Sequence, residues 1–312
     1  MIAWATMTND AASHSPAEVT RATLIGMLSV LIWGPAIPLA RIFTVKIGIL
    51  GFLGFLGLGG GLLGILNHKL QRKKIDTDMF KRKIFYVRWL CWLMTVGLIN
   101  TAIRMVNYHN LPIVILINYF WPTSVLLCSV IIARQKITRR RYFILGCVIV
   151  ISSLAFEILY PVFTQLDFTL SPTDLLAYAL AFINAVAWGI YSAISRRYGK
   201  ETGGGNIVPL FQFTLALLIP VCLLAPPQAA AVPVLVMVLF GGFVAMMFLA
   251  HQTWNYGMQH GNVVVLSLAA DFIPWLSLIA AHFLLGSHIG ITTMMTAFTL
   301  VVGAMITRYG TL

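Results

Sequence analysis

The stretch SLAADFIPWLS, Ser267 to Ser277, sets one carboxylate, Asp271, among residues otherwise suited to lipid. A carboxyl group there has three chemistries open to it: binding a substrate ammonium, taking up and releasing a proton, or staying protonated as a hydrogen bonder between helices. NYFWP, Asn118 to Pro122, offers an amide, a phenol and an indole in sequence. Asn118 and Pro122 lie four apart and so share a helix face; a proline inside a helix also frees a backbone carbonyl that a polar solute or a neighbouring helix can use. His251, Trp254 and Asn255 are three and four residues apart, a spacing that suits a mixed aromatic and polar lining and equally a core histidine with its partners satisfied. Trp33 and Trp188 each precede a glycine and read either as walls of a cavity or as interfacial anchors. Asn118 has a plain alternative too, tying helices together.

These residues can grip an amphipathic solute, but they do not make a catalytic set. The chain contains no HExxH, no His-x4-Asp and no GxSxG pattern. A hydrolase or acyltransferase would need an activated nucleophile or a metal cluster of that kind. Cys91, Cys128, Cys147 and Cys222 fall at no metal-ligand spacing and read as small core residues. The glycine-rich run GFLGFLGLGGGLLG, Gly51 to Gly64, lacks the Lys-Ser/Thr ending of a phosphate loop and reads as a face for close helix packing. No metal, cofactor or catalytic residue is expected.

The solvent around these groups follows from composition. Of 312 residues, 59% are hydrophobic and 10% charged, and the mean hydropathy is +0.89, too apolar for a water-soluble domain of this size. A helix needs roughly 20 mostly apolar residues to cross a bilayer. Ten such segments are expected, over 22–42, 47–66, 86–106, 110–133, 142–160, 174–195, 206–225, 233–254, 261–284 and 289–307. Asp271 lies about ten residues into the ninth, roughly 15 Å along it and near the bilayer centre. A charge at that depth costs at least about 2.5 kcal/mol, so such acids usually face a cavity or a partner. No basic partner of matching depth is evident, and the other acids, Glu157 among them, fall in tails, loops or span ends.

Lys and Arg concentrate in the cytoplasmic loops of membrane proteins. With the N-terminus inside, every basic residue except Arg41, Lys46 and Arg104 falls on the cytoplasmic side, with both termini there. The net charge of +12 is then explained by anionic headgroups, without nucleic acid. Residues 1–19 lack a signal-peptide pattern and read as a flexible tail.

The chain also repeats itself. Ser15-Pro16-Ala17-Glu18 and Ser171-Pro172-Thr173-Asp174 each supply an N-cap serine, a proline at the first helical position and an acid three residues after the cap. LIWGPAIPLAR (Leu31 to Arg41) and VAWGIYSAISR (Val186 to Arg196) carry Trp-Gly at the same distance from an arginine. HNLPIVILINYFWPTSVLL (His109 to Leu127) aligns without gaps on GNVVVLSLAADFIPWLSLI (Gly261 to Ile279), so that Asn110 meets Asn262, Tyr119 meets Asp271 and Pro122 meets Pro274. Five spans per copy is an odd number, so the two copies, 20–160 and 173–312 joined by a periplasmic linker at 161–172, are inverted in the membrane. Inverted repeats build many secondary transporters, with sites near the midplane.

These features resemble the drug/metabolite transporter superfamily of the EamA type. NYFWP and WNYGMQHGNV (Trp254 to Val263) are most similar to its YddG-type aromatic amino acid exporters. That resemblance implies an all-α, ten-helix membrane protein of a bacterial inner membrane, monomer or homodimer. It would export amino acids by alternating access around a central cavity lined by the first, third, fourth, sixth, eighth and ninth helices. Trp33, Asn118, Tyr119, Trp121, Trp188, His251, Trp254, Asn255 and Asp271 are the expected substrate contacts. Pro35, Pro38, His109, Pro122 and Pro274 are the expected gates or hinges. Ile113 and Asp271 depart from the residues expected at their positions, a polar one and an aromatic one, which argues against specificity for aromatic substrates alone. Multidrug export is the nearest alternative. A nucleotide sugar would want deep basic residues, a membrane enzyme lacks its motifs, and a scaffold would leave the duplicated polar helices without purpose.

Overall fold

The computed structural model describes residues 15–70, 77–164, 171–202, 208–224 and 232–311. Among these there are helices and turns but no strands: α1 (Pro16–Trp33), α2 (Ala36–Ile47), α3 (Ile49–Leu70), α4 (Lys83–Met105), α5 (Leu111–Asn118), α6 (Trp121–Ile131), α7 (Arg140–Thr164), α8 (Pro172–Tyr198), α9 (Val208–Leu215), α10 (Leu218–Leu224), α11 (Val234–His260), α12 (Val263–Ala270), α13 (Ile273–Leu285) and α14 (Ile291–Tyr309). Among the described residues, eight helical stretches are long and apolar enough to cross a membrane, and nine if α1 and α2, bent by 43°, form one span. The seventh expected span, 206–225, corresponds to a shorter apolar stretch, Phe211–Leu224. Of the expected flexible tail, 1–19, residues 1–14 lie outside the described residues, whereas 16–19 are not loose but form the capped first turn of α1; half of the expected linker, 165–170, also lies outside them.

Local chemistry accounts for where the helices start. At α1 the Ser15 hydroxyl accepts the Glu18 amide at 3.3 Å while the Glu18 carboxylate accepts the Ser15 amide at 2.7 Å, a reciprocal cap. At α8 the Ser171 hydroxyl likewise accepts the Asp174 amide, at 3.1 Å.

It also accounts for where they break. Proline has no amide hydrogen and crowds the carbonyl four residues before it. Pro38, Pro122, Pro220 and Pro274 each stand within the first three residues of a helix, α2, α6, α10 and α13, that follows a two-residue interruption. The fourth and ninth spans share one pattern: an eight-residue helix, a two-residue break at Tyr119–Phe120 or Asp271–Phe272, then a helix with proline second.

Packing places α5 at the centre, with all eight of its residues buried. Around it α1 runs along α11, α4 along α8, α3 against α9, and α7 against α14. The glycine run on α3 does what its spacing suggests. A methyl group at Gly57 would stand 2.5 Å from the Gln212 carbonyl oxygen, and one at Gly61 would meet Phe213 at 2.5 Å. Where the end of α11 crosses the middle of α1 the backbones also approach closely, since a methyl on Gly257 would lie 2.7 Å from Gly26 Cα. There the Asn262 amide donates to the Thr23 hydroxyl at 2.7 Å. Large apolar side chains such as Leu224, Phe283 and Ile291 point outward, as lipid contact requires.

Candidate functional site: a junction of broken helices

Two of the interruptions meet on the helix that follows a third. Pro38 cannot donate to the Gly34 carbonyl, which is left without its helical partner. The Ser277 hydroxyl of α13 donates to that carbonyl. Ser277 Oγ also lies 3.2 Å from Tyr119 Oη. A hydroxyl has one hydrogen; with that of Ser277 given to Gly34, Tyr119 is the donor in the second bond. Gly34, Tyr119 and Ser277 are all buried. The first, fourth and ninth expected spans are therefore joined by one chain of hydrogen bonds, at the breaks of the first two and five residues beyond the break of the ninth.

Two aromatic groups flank the junction's helices. Trp33, the last residue of α1, meets the edge of His251 at 5.4 Å between ring centres and Trp254, also at 5.4 Å. The expected shared face of His251 and Trp254 is thus observed, against Trp33. His251 Nδ1 is 2.7 Å from the Met247 carbonyl oxygen of its own helix, so in the neutral ring Nδ1 carries the hydrogen and Nε2 is the acceptor. On the other side Trp121 meets Trp188 edge-on at 6.3 Å, and Trp188 packs on Tyr191 at 5.4 Å. One turn before Trp188, the Asn184 amide donates to Asn118 Oδ1 at 2.6 Å, and both are buried. Asn184 Oδ1 has no partner among the described residues. An unpaired buried acceptor costs about 1–3 kcal/mol, and a bound donor would recover that cost.

Asp271 corrects the sequence reading. It is buried, and Arg308 near the end of α14 grips it with two bonds, Nη1 to Oδ2 at 3.0 Å and Nη2 to Oδ1 at 3.1 Å. The basic partner not evident in the sequence therefore exists. A bidentate guanidinium occupies both carboxylate oxygens, so a substrate amine would have to displace it. Glu157 is the second correction. It lies near the end of the span Arg140–Tyr160, as expected, yet it is buried. Its two oxygens accept the hydroxyls of Thr293 and Thr296 at 2.6 and 2.8 Å.

The remaining expected residues sort plainly. Pro35 and Pro38 lie at the α1–α2 break, Pro122 and Pro274 just after theirs. His109 is exposed in the turn before α5 and joins neither aromatic group. The side chain of Asn255 lies outside the described residues. Ser277, Asn184, Arg308 and Glu157 were missed as functional candidates. Asn184 carried a usable signal, one turn from Trp188 on the same helix; Ser277 carried none beyond its nearness to Pro274.

The apolar helices and the polar junction buried among them define a polytopic membrane protein. Residues 175–309, in the second half of the chain, match the EamA-like transporter family. The aromatic amino acid exporter YddG of Salmonella typhimurium (strain 14028s / SGSC 2262) is 25% identical over 297 residues, covering 92% of this chain and 96% of the relative. The exporter of the same name from Escherichia coli (strain K12) is 23% identical over 294 residues, with the same coverage. A solved crystal structure shares the fold with a TM-score of 0.63 at 21% identity, over 92% of this chain and 98% of its own.

Proposed function

We propose that this transporter exports amino acids, aromatic and other neutral or cationic ones, across a bacterial inner membrane by alternating access of two inverted five-helix halves. The observation that carries the reading is the junction of three broken spans at Gly34, Tyr119 and Ser277, flanked by the Trp33 and Trp188 aromatic groups. Broken helices with freed backbone groups are how secondary transporters place polar contacts at membrane depth. The names of the two relatives support the substrate class.

In this reading Trp33, Trp121, Trp188, His251 and Trp254 form the walls for an apolar or aromatic side chain. Asn118, Asn184 and Tyr119 supply polar contacts, and Asn184 Oδ1 is the acceptor for a substrate N–H. Asp271, held by Arg308, fixes the ninth-span break against α14 instead of meeting the amine directly. Two features support paired halves of ten spans: the matched breaks in the fourth and ninth spans, and the exchange of partners by which α1 packs on α11 as α4 packs on α8. The charge pattern supports cytoplasmic termini.

The test is counterflow of labelled phenylalanine, threonine, methionine and lysine in proteoliposomes, with Trp33→Ala and Asn184→Ala beside the wild type. Exchange that weakens in both variants is expected. Failure of all four amino acids to move would overturn the substrate class and direct attention to drugs or other metabolites.

A further inference from the structure

We propose that the end of α2 carries a site for one anionic phospholipid, with the phosphate on Lys46 and Tyr108 and an acyl chain along Ile42, Val45, Leu284 and Leu285. These six residues line one groove of about 340 Å³. They come from the ends of α2 and α13 and from the turn after α4, three places far apart in the chain that the charge pattern sets on the same, outer side. The groove is amphipathic in the way that a lipid is. Lys46 offers an ammonium and Tyr108 a hydroxyl, while the other four side chains are aliphatic, with Val45 and Leu284 exposed as contact with lipid requires.

Behind the groove lies a cation without an acid. Arg41 is 7% exposed, and its guanidinium donates to the carbonyl oxygens of Ile103 and, at 2.7 Å, Val106. The end of α4 leaves those carbonyls free; being neutral, they satisfy hydrogens without cancelling the charge. Arg41 Nε is buried and has no partner among the described residues. The Tyr108 ring lies over the guanidinium at 5.3 Å, so one wall of the groove stands on a buried positive charge. Lys46, five residues on along α2, and Arg104, next to Ile103, are exposed. No ion pair joins any of these three cations to a carboxylate among the described residues: Asp78, Glu201 and Asp271 pair with Lys81, Arg82 and Arg308 instead. A buried charge is costly unless it is paired, and a phosphate at the groove would supply the missing anion. The aliphatic floor, open to the bilayer, selects a lipid over a free anion. The tyrosine stands at the span end, where such rings meet headgroups.

The test is native mass spectrometry of the purified full chain in detergent, titrated in parallel with phosphatidylglycerol, phosphatidylcholine and inorganic phosphate. Wild type should retain one phosphatidylglycerol severalfold more readily than phosphatidylcholine. Lys46→Gln should lower that preference about fivefold, the factor for one basic side chain at an anionic lipid surface. Tyr108→Phe, which keeps the ring over Arg41 and removes only the hydroxyl, should lower it about threefold. Lys69→Gln, at the far end of α3, should leave it unchanged. Equal retention of the two lipids by wild type, or a preference that survives both groove variants, would overturn the proposal. An equal loss in Lys69→Gln would show diffuse attraction in place of a site, and release of the lipid by millimolar phosphate would show a site for free anions; either result also overturns it. Arg41 stays unaltered throughout, because its loss would strip the end of α4 of its hydrogen-bond donors. The readout is binding alone, so its outcome is separate from that of the counterflow experiment.

Discussion

The breaks of the fourth and ninth spans have one backbone and two chemistries. Each follows an eight-residue helix and precedes a helix with proline at its second position. Tyr119 turns inward, through Ser277, to the carbonyl freed at Gly34. Asp271, its aligned counterpart, takes the Arg308 guanidinium of α14. Two stretches of matching backbone can thus share the interruption, which proline dictates locally, while the side chain at each interruption finds a different partner. At one break two neutral hydrogen bonds stitch three broken spans; at the other a charge pair ties the break to an unbroken helix.

The largest effect should come from splitting the charge pair. Arg308→Ala leaves a buried carboxylate uncompensated and is expected to cost about 3–5 kcal/mol, read as a lowered unfolding temperature in detergent. Asp271→Asn should cost less, because the Arg308 side chain is 18% exposed and can turn to water, whereas that of Asp271 is 2% exposed. Equal losses in the two variants would mean that the pair is not held as described. Ser277→Ala comes next. It strands both the Gly34 carbonyl and the Tyr119 hydroxyl, each buried, for about 1–3 kcal/mol. Tyr119→Phe removes one donor and leaves the Ser277–Gly34 bond intact, so about 1 kcal/mol is expected; a loss matching that of Ser277→Ala would show that Tyr119, not Ser277, holds the junction.

The smallest change in stability belongs to the prolines. Pro122→Ala and Pro274→Ala should each shift stability by no more than about 1 kcal/mol, mostly through the unfolded chain. If the two breaks bend during the transport cycle, both variants should nonetheless slow counterflow. Unchanged flux in either would remove its break from the mechanism and end the functional parallel between the halves.

Much of this architecture was legible in the chain because it is written in local terms. Ser15 and Ser171 cap their helices through residues three positions away. Prolines end hydrogen-bonded ladders wherever they occur, and a run of glycines can serve close packing on whichever helix comes near. Apolar length marks spans, so an all-helical membrane protein followed directly. Trp33 with His251 and Trp254 was half legible: the spacing gave the shared face on α11, but not the tryptophan 218 positions earlier in the sequence that packs against it.

What the chain alone did not determine are the partners of its buried polar groups. Asp271 and Arg308 are 37 residues apart and lie on different helices; hydropathy sets Arg308 at a span end, and only the packed structure shows its long side chain reaching inward to the acid. Ser277 and Gly34 are 243 residues apart. Glu157 was read as peripheral from its place near a span end; its burial comes from α14, whose Thr293 and Thr296 hydroxyls meet its two oxygens. A free carbonyl or a lone carboxylate tells from sequence that a partner is required, since an unmet polar group in an apolar interior is costly. Which residue meets it depends on helix packing, and that only the tertiary structure decided.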